Sequence, residues 1–130
     1  MKKIITLLTA VTTTLLLTQC KKDNPTYNSY FYTTVNDQDA QLSLYIDNDY
    51  KGDLPYLANK PTCENDSLKS KSLFLTLPAG KYKVAAKDKQ GNIKSSSTLK
   101  IKSGLLESKS GTGGTEVRSS NGCLIVGLFY

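Results

Sequence analysis

Apolar and polar positions alternate with a period of two along most of this chain, and no stretch keeps a helical period over several turns. The clearest case is Gln41 to Ile46, where Leu42, Leu44 and Ile46 point one way and Gln41, Ser43 and Tyr45 the other. Ser72 to Leu77 repeats the pattern with Leu73, Leu75 and Leu77 inward. Lys81 to Lys87 does so with Tyr82, Val84 and Ala86. In Ile93 to Lys102 the pattern is sharpest at Leu99 and Ile101, between Lys100 and Lys102. Ser29 to Val35 is rich in Tyr, Phe and Thr, side chains that suit a pleated surface. Tyr50 to Leu54 reads as a short edge strand with a bulge at Gly52, ended by Pro55.

Turn chemistry separates these runs. Asp47-Asn48-Asp49 predicts a turn, because Asp and Asn bond their own backbone and tolerate left-handed geometry. Pro78-Ala79-Gly80 and Asp88 to Asn92 read the same way. Tyr56 to Lys71, polar and irregular, predicts a long loop. Ser103 to Gly122, rich in Gly and Ser, predicts a flexible loop with room for one helical turn at Leu105-Leu106-Glu107. Cys123 to Tyr130 is apolar on both faces, as a strand central in a sheet or covered on both sides would be. Short alternating strands between turn signals predict an all-β fold: a small antiparallel β-sandwich of about six to eight strands.

The first nineteen residues follow another rule. Lys2 and Lys3 precede an apolar run from Ile4 to Leu17 that is short for a membrane span and flanked like a secretory signal. Leu17-Thr18-Gln19-Cys20 resembles the lipobox of bacterial lipoproteins, with Gln19 where that family prefers a small residue. The resemblance implies cleavage before Cys20, acylation of Cys20 with palmitate-type chains, and an outer-membrane lipid anchor facing the periplasm or the cell surface. Lys21-Lys22-Asp23 is similar to the surface-export signal of Bacteroidota lipoproteins and reads equally well as a solvated tether. The expected organisation is a signal peptide at 1–19, a lipidated Cys and tether at 20–28, and a β-sandwich domain at 29–130.

A second resemblance lies within the domain. Ile46-Asp47, Gly52, Pro55, Leu75-Thr76-Leu77-Pro78-Ala79-Gly80, Tyr82 and Val84 are similar to the PEGA pattern and, more broadly, to prealbumin-like (transthyretin-like) sandwich modules. It spans Leu42 to about Asn92. Such families are non-catalytic, so the resemblance implies no site residue.

Charge and chemistry narrow the function classes. The 130 residues carry a net charge of +6. Without Lys2 and Lys3, 15 basic residues stand against 11 acidic ones. The excess is scattered and almost wholly Lys, with Arg118 the one Arg, which argues against a nucleic-acid partner. With no His and no nucleophile motif, the expectation is no enzyme and no cofactor. Asp47, Asp49 and Asp53 cluster around one turn and are weak metal candidates, although the spacing fits no EF-hand and the expectation is no metal. Eight tyrosines without a Trp offer either strand-forming side chains or a glycan-stacking surface. The partners expected are the membrane through the lipid, and a protein or a glycan that no residue set identifies. If Cys20 is consumed by lipid, Cys63 and Cys123 remain as an even pair in a compartment where disulfides persist. A bond between them would pin the long loop to the core. In the competing reading Cys123 is a small buried hydrophobe and Cys63 a free loop thiol.

Overall fold

A computed structural model describes residues 25–37, 40–103 and 105–130. They form nine strands: β1 (Thr26–Tyr32), β2 (Ser43–Ile46), β3 (Asp49–Asp53), β4 (Leu73–Pro78), β5 (Gly80–Lys87), β6 (Ile93–Lys102), β7 (Leu105–Ser110), β8 (Gly114–Ser120) and β9 (Cys123–Phe129). One helical turn, α1 (Asp66–Lys69), interrupts the loop before β4. The strands make a four-stranded sheet of order β4-β1-β9-β8 and a five-stranded sheet of order β3-β2-β5-β6-β7. Every neighbouring pair is antiparallel except β1 and β9, which run parallel. The fold is a small all-β sandwich.

Its core is built from the alternating rows. Leu42, Leu44, Ile46, Val84, Ala86, Leu99 and Ile101 from one sheet and its approaches meet Phe31, Leu77, Leu124, Val126 and Leu128 from the other. Leu73, Leu75 and Tyr82 pack against this cluster from its margin. Fully burying an aliphatic side chain contributes about 1.5–3 kcal/mol, so these rows are the main cohesive term.

One expectation fails. The Ser103 to Gly122 segment is not a flexible loop with a helical turn. It supplies β7 and β8, which raise the strand count above the expected six to eight. Its Gly and Ser content hides few apolar markers, chiefly Leu106 and Val117, both packed against the core. These strands form because β6 and β9 offer open edges to pair with. Pro78-Ala79-Gly80 turns the chain as expected, and the turn joins the two sheets. β4 pairs with β1 while β5 pairs with β2 and β6, so the turn is a corner between sheets. The Tyr82 hydroxyl donating to the Pro78 carbonyl at 2.5 Å, and Ala79 N–H donating to the Pro25 carbonyl at 3.0 Å, hold that corner.

β9 explains its own composition. It lies between β1 and β8, and its outward residue Ile125 is covered by Leu57 and Tyr32, with Tyr30, Cys63 and Cys123 around them. The cover is the loop from Tyr56 to Lys71, which straps the outer face of the four-stranded sheet. A parallel bridge between Thr33 and Tyr56 starts the strap, and its own Pro61 is fully buried. Lys60 Nζ reaches Glu116 on β8 at 2.6 Å. Asn65 caps α1, its side chain accepting from Leu68 N–H at 3.1 Å.

One end of the sandwich gathers the start of β1 with the β4–β5, β6–β7 and β8–β9 connections. Asn28 N–H donates to the Gly122 carbonyl at 2.9 Å, and the Tyr27 hydroxyl to the Lys102 carbonyl at 3.2 Å. Pro25, the first described residue, lies at this end, its carbonyl accepting from Ala79 N–H.

Candidate functional site

The residues singled out by sequence meet different fates. Cys20 and the whole segment from Met1 to Asn24 lie outside the described residues. Cys63 and Cys123 are bonded as a disulfide, with Cα atoms 5.9 Å apart. The bond ties the strap to the first residue of β9, so it is a structural clasp rather than a reactive centre.

The acidic turn is likewise structural. Asp47 and Asn48 are the two residues between β2 and β3, with φ of 51° and 67°. Both central residues at positive φ is the arrangement of a type I′ hairpin, and Asp and Asn tolerate it. Asp47 Oδ1 accepts from Lys83 N–H at 2.9 Å, which locks the turn to β5. Asp53 Oδ1 accepts from the Tyr50 hydroxyl at 3.1 Å, and this bond holds the Tyr50 phenol in its neutral form to higher pH than usual. The ladder shifts between Tyr50 and Gly52 and leaves Lys51 unpaired, next to the Gly52 position where the bulge is expected. Among the described residues, no group of three acidic or sulfur side chains converges to hold a metal ion.

The tyrosines do not form a row. Tyr32 is buried beneath the strap and Tyr27 packs against the core margin. Tyr30 stacks with Phe74 on the outer face of the four-stranded sheet, ring centroids 5.3 Å apart, with Lys69 Nζ 5.5 Å from the Tyr30 ring. Tyr130 lies at the far end of the sandwich, bonded to Asp37 and facing Lys94. Tyr30 and Tyr32 alternate on one face of β1 around Ile125, while Tyr45 and Tyr50 pair ring to ring across strands, with centroids 5.8 Å apart.

That pair belongs to a surface that single-sequence reading missed: the outer face of the five-stranded sheet. On β5 the outward residues are Lys81, Lys83, Ala85 and Lys87, between the core residues Tyr82, Val84 and Ala86. On β6 they are Lys94, Ser96, Thr98, Lys100 and Lys102. Register turns these columns into rows. Tyr50 stands opposite Tyr45, Tyr45 opposite Ala85, and Ala85 opposite Ser96. In the next row Lys83 faces Thr98 and Thr98 faces Lys109 of β7. Beyond it Lys81 faces Lys100, which faces Glu107 on its other side. Lys87 Nζ lies 4.3 Å from the centre of the Tyr45 ring.

The small residues Ala85, Ser96 and Thr98 leave a groove of about 350 Å³, rimmed by Lys83, Lys109 and Asn48. Gly111 keeps its margin open, since a Cβ there would come within 2.6 Å of Ser96 Oγ. The ion pairs among the described residues are Lys60 and Arg118 with Glu116, and Lys69 with Asp66. None draws on the lysines of this face. Alternation alone marked these lysines as solvent-facing; that they share one surface follows only from strand order. Compared with known proteins, the chain matches no family model, no curated sequence and no solved structure.

Proposed function

We propose that the protein is a non-catalytic binding module, anchored by lipid on Cys20 to the outer membrane and facing the periplasm or the cell surface. The observation that carries this reading is the Cys63–Cys123 disulfide, a bond that persists in oxidising compartments beyond the cytoplasm. It agrees with the export-type segment at 1–19 and with the place of Pro25 at one end of the sandwich. Of the expected tether at 20–28, Cys20 to Pro25 precede β1 and would span at most about 20 Å, so that end would sit toward the bilayer. The non-catalytic part rests on the lack of His and of any nucleophile motif in the sequence. The two-sheet architecture agrees with a prealbumin-like module, a likeness that brings no site residue with it.

The test is Cys20→Ser. The wild-type chain is expected in the membrane fraction, with the mass of a chain beginning at Cys20 plus acyl groups. The variant is expected to be released or left unprocessed. Unchanged mass and partitioning in the variant would overturn the anchor.

A second reading is glycan binding by exposed tyrosines. Dispersal of the other rings weighs against stacking along a tyrosine row. The Tyr45–Tyr50 pair, next to the groove on the outer sheet face, is the one observation in its favour.

A further inference from the structure

We infer that the outer face of the five-stranded sheet binds an acidic polysaccharide, a chain of sugars bearing carboxylate or sulfate groups. This rests on reading the protein as a binding module, and not on its lipid anchor.

Charge comes first. Lys81, Lys83, Lys100, Lys102 and Lys109 share this face with Glu107 and, at its β3 edge, Asp53, and none of these lysines enters an ion pair with another described residue. Lys81 and Lys100 stand directly opposite each other, a juxtaposition that destabilises a sheet. Glu107 offsets it on one side only. Folding gains nothing from this arrangement, whereas an anionic ligand is attracted to all of it.

Shape and chemistry then choose among polyanions. A flat bilayer surface does not fill a groove of about 350 Å³, whereas a single extended chain does. A protein partner needs a central apolar anchor region. Yet the floor here is Ala85, Ser96 and Thr98, the one exposed aliphatic of the lining, Ile93, stands at the first position of β6, and the exposed Phe74 lies on the other sheet. Nucleic acid calls for successive stacking rings and for Arg, and the one Arg, Arg118, is on β8 of the other sheet. Hydroxyls on the floor, ammonium groups on the rim and one tyrosine pair at the entrance match a hydroxylated, carboxylated or sulfated chain. In this assignment Lys83 and Lys109 grip anionic groups across the groove, Ser96 and Thr98 meet ring hydroxyls, and Tyr50, the exposed ring of the pair, receives a sugar face.

The experiment titrates the full chain, held in uncharged detergent micelles, with polygalacturonate, dextran sulfate and neutral dextran by calorimetry. At least one acidic polymer is expected to bind, weakening about tenfold or more as salt rises from about 50 to about 200 mM, with neutral dextran inert. K83E/K109E is expected to weaken binding at least about tenfold, and K83Q/K109Q to do the same should charge reversal disturb folding. K83R/K109R is expected to retain it. K69E/K71E makes the same change in net charge on the strap over the other sheet and is expected to stay within about twofold of wild type. Failure of both acidic polymers to bind, equal binding of dextran, or equal losses in K69E/K71E and K83E/K109E would overturn the assignment. So would tighter binding of duplex DNA or of phosphatidylglycerol vesicles. Cys20→Ser fractionation decides the anchor separately, so the two readings fail independently.

Discussion

At the scale of single residues, the disulfide and the Glu116 cluster decide how firmly the strap holds. Cys63 and Cys123 close a loop of sequence separation 60, which on the chain-entropy account contributes about 4 kcal/mol by restricting the unfolded chain. That is a large share of a domain stability of about 5–15 kcal/mol. The double variant C63S/C123S is expected to lose about that much in urea unfolding, and the unfolded, unreduced wild type to show no free thiol at either position. Glu116 accepts from Lys60 Nζ and from Arg118 at 2.5 Å, and the Lys60 bond is the main reason its carboxyl titrates below the ordinary range. A depressed carboxyl stabilises the fold fully above its unfolded pKa of about 4.3, and the contribution fades as pH falls through the lower folded value. Glu116→Gln is therefore expected to flatten the acid limb of a stability-versus-pH curve below about pH 4.5, with a loss near neutrality under about 1 kcal/mol. Sequence shows each of these residues but not their meetings, because Lys60 and Glu116 are 56 positions apart.

Elements set the next scale, and the β2–β3 hairpin is the most sharply specified of them. Its two-residue connection needs positive φ at Asp47 and Asn48, which strains any β-branched residue. Asn48→Gly is expected to be neutral or mildly stabilising, and Asn48→Val to cost about 1–3 kcal/mol in thermal or urea unfolding. Since Asp47 spends an oxygen on Lys83 N–H, about 1 mM calcium is expected to leave the melting temperature unchanged. A rise abolished by Asp49→Ala would restore the metal reading. This hairpin was legible because turn and alternation are both local signals. β7 and β8 were not, since their strand state comes from the edges they complete rather than from their own composition.

At the scale of the whole molecule, β9 joins the last strand of the chain to the first. It is central in its sheet, carries Leu124, Val126 and Leu128 into the core, and supports Ile125 under the strap. Deleting Cys123 to Tyr130 removes all three functions together. The truncated chain is expected to lose cooperative unfolding altogether, measured by circular dichroism against urea, rather than to melt at a lower temperature. Because the β1–β9 pair spans nearly the full sequence, the sandwich also depends on contacts of high sequence separation, which slow folding. The lysine face is a property of this scale too, since β5, β6 and β7 bring its charges into adjacent columns.

Alternation by itself determined which side of each strand is buried: Leu42, Leu44, Ile46, Val84, Ala86, Leu99 and Ile101 all face the core as their spacing requires. It did so because the side-chain period of an extended chain is two, a constraint every residue obeys locally. Composition likewise marked β9 as covered on both faces and the hairpin turn as left-handed. Tertiary structure alone decided that β4 and β5 belong to different sheets, that a Gly- and Ser-rich segment becomes two strands, and that Cys63 reaches Cys123. Only it brought lysines from β5, β6 and β7 onto one face, with Lys83 and Lys109 at one groove. Those outcomes depend on which strand edges meet, and edge pairing is settled by backbone hydrogen bonds and packing between distant segments, on which the local pattern is silent.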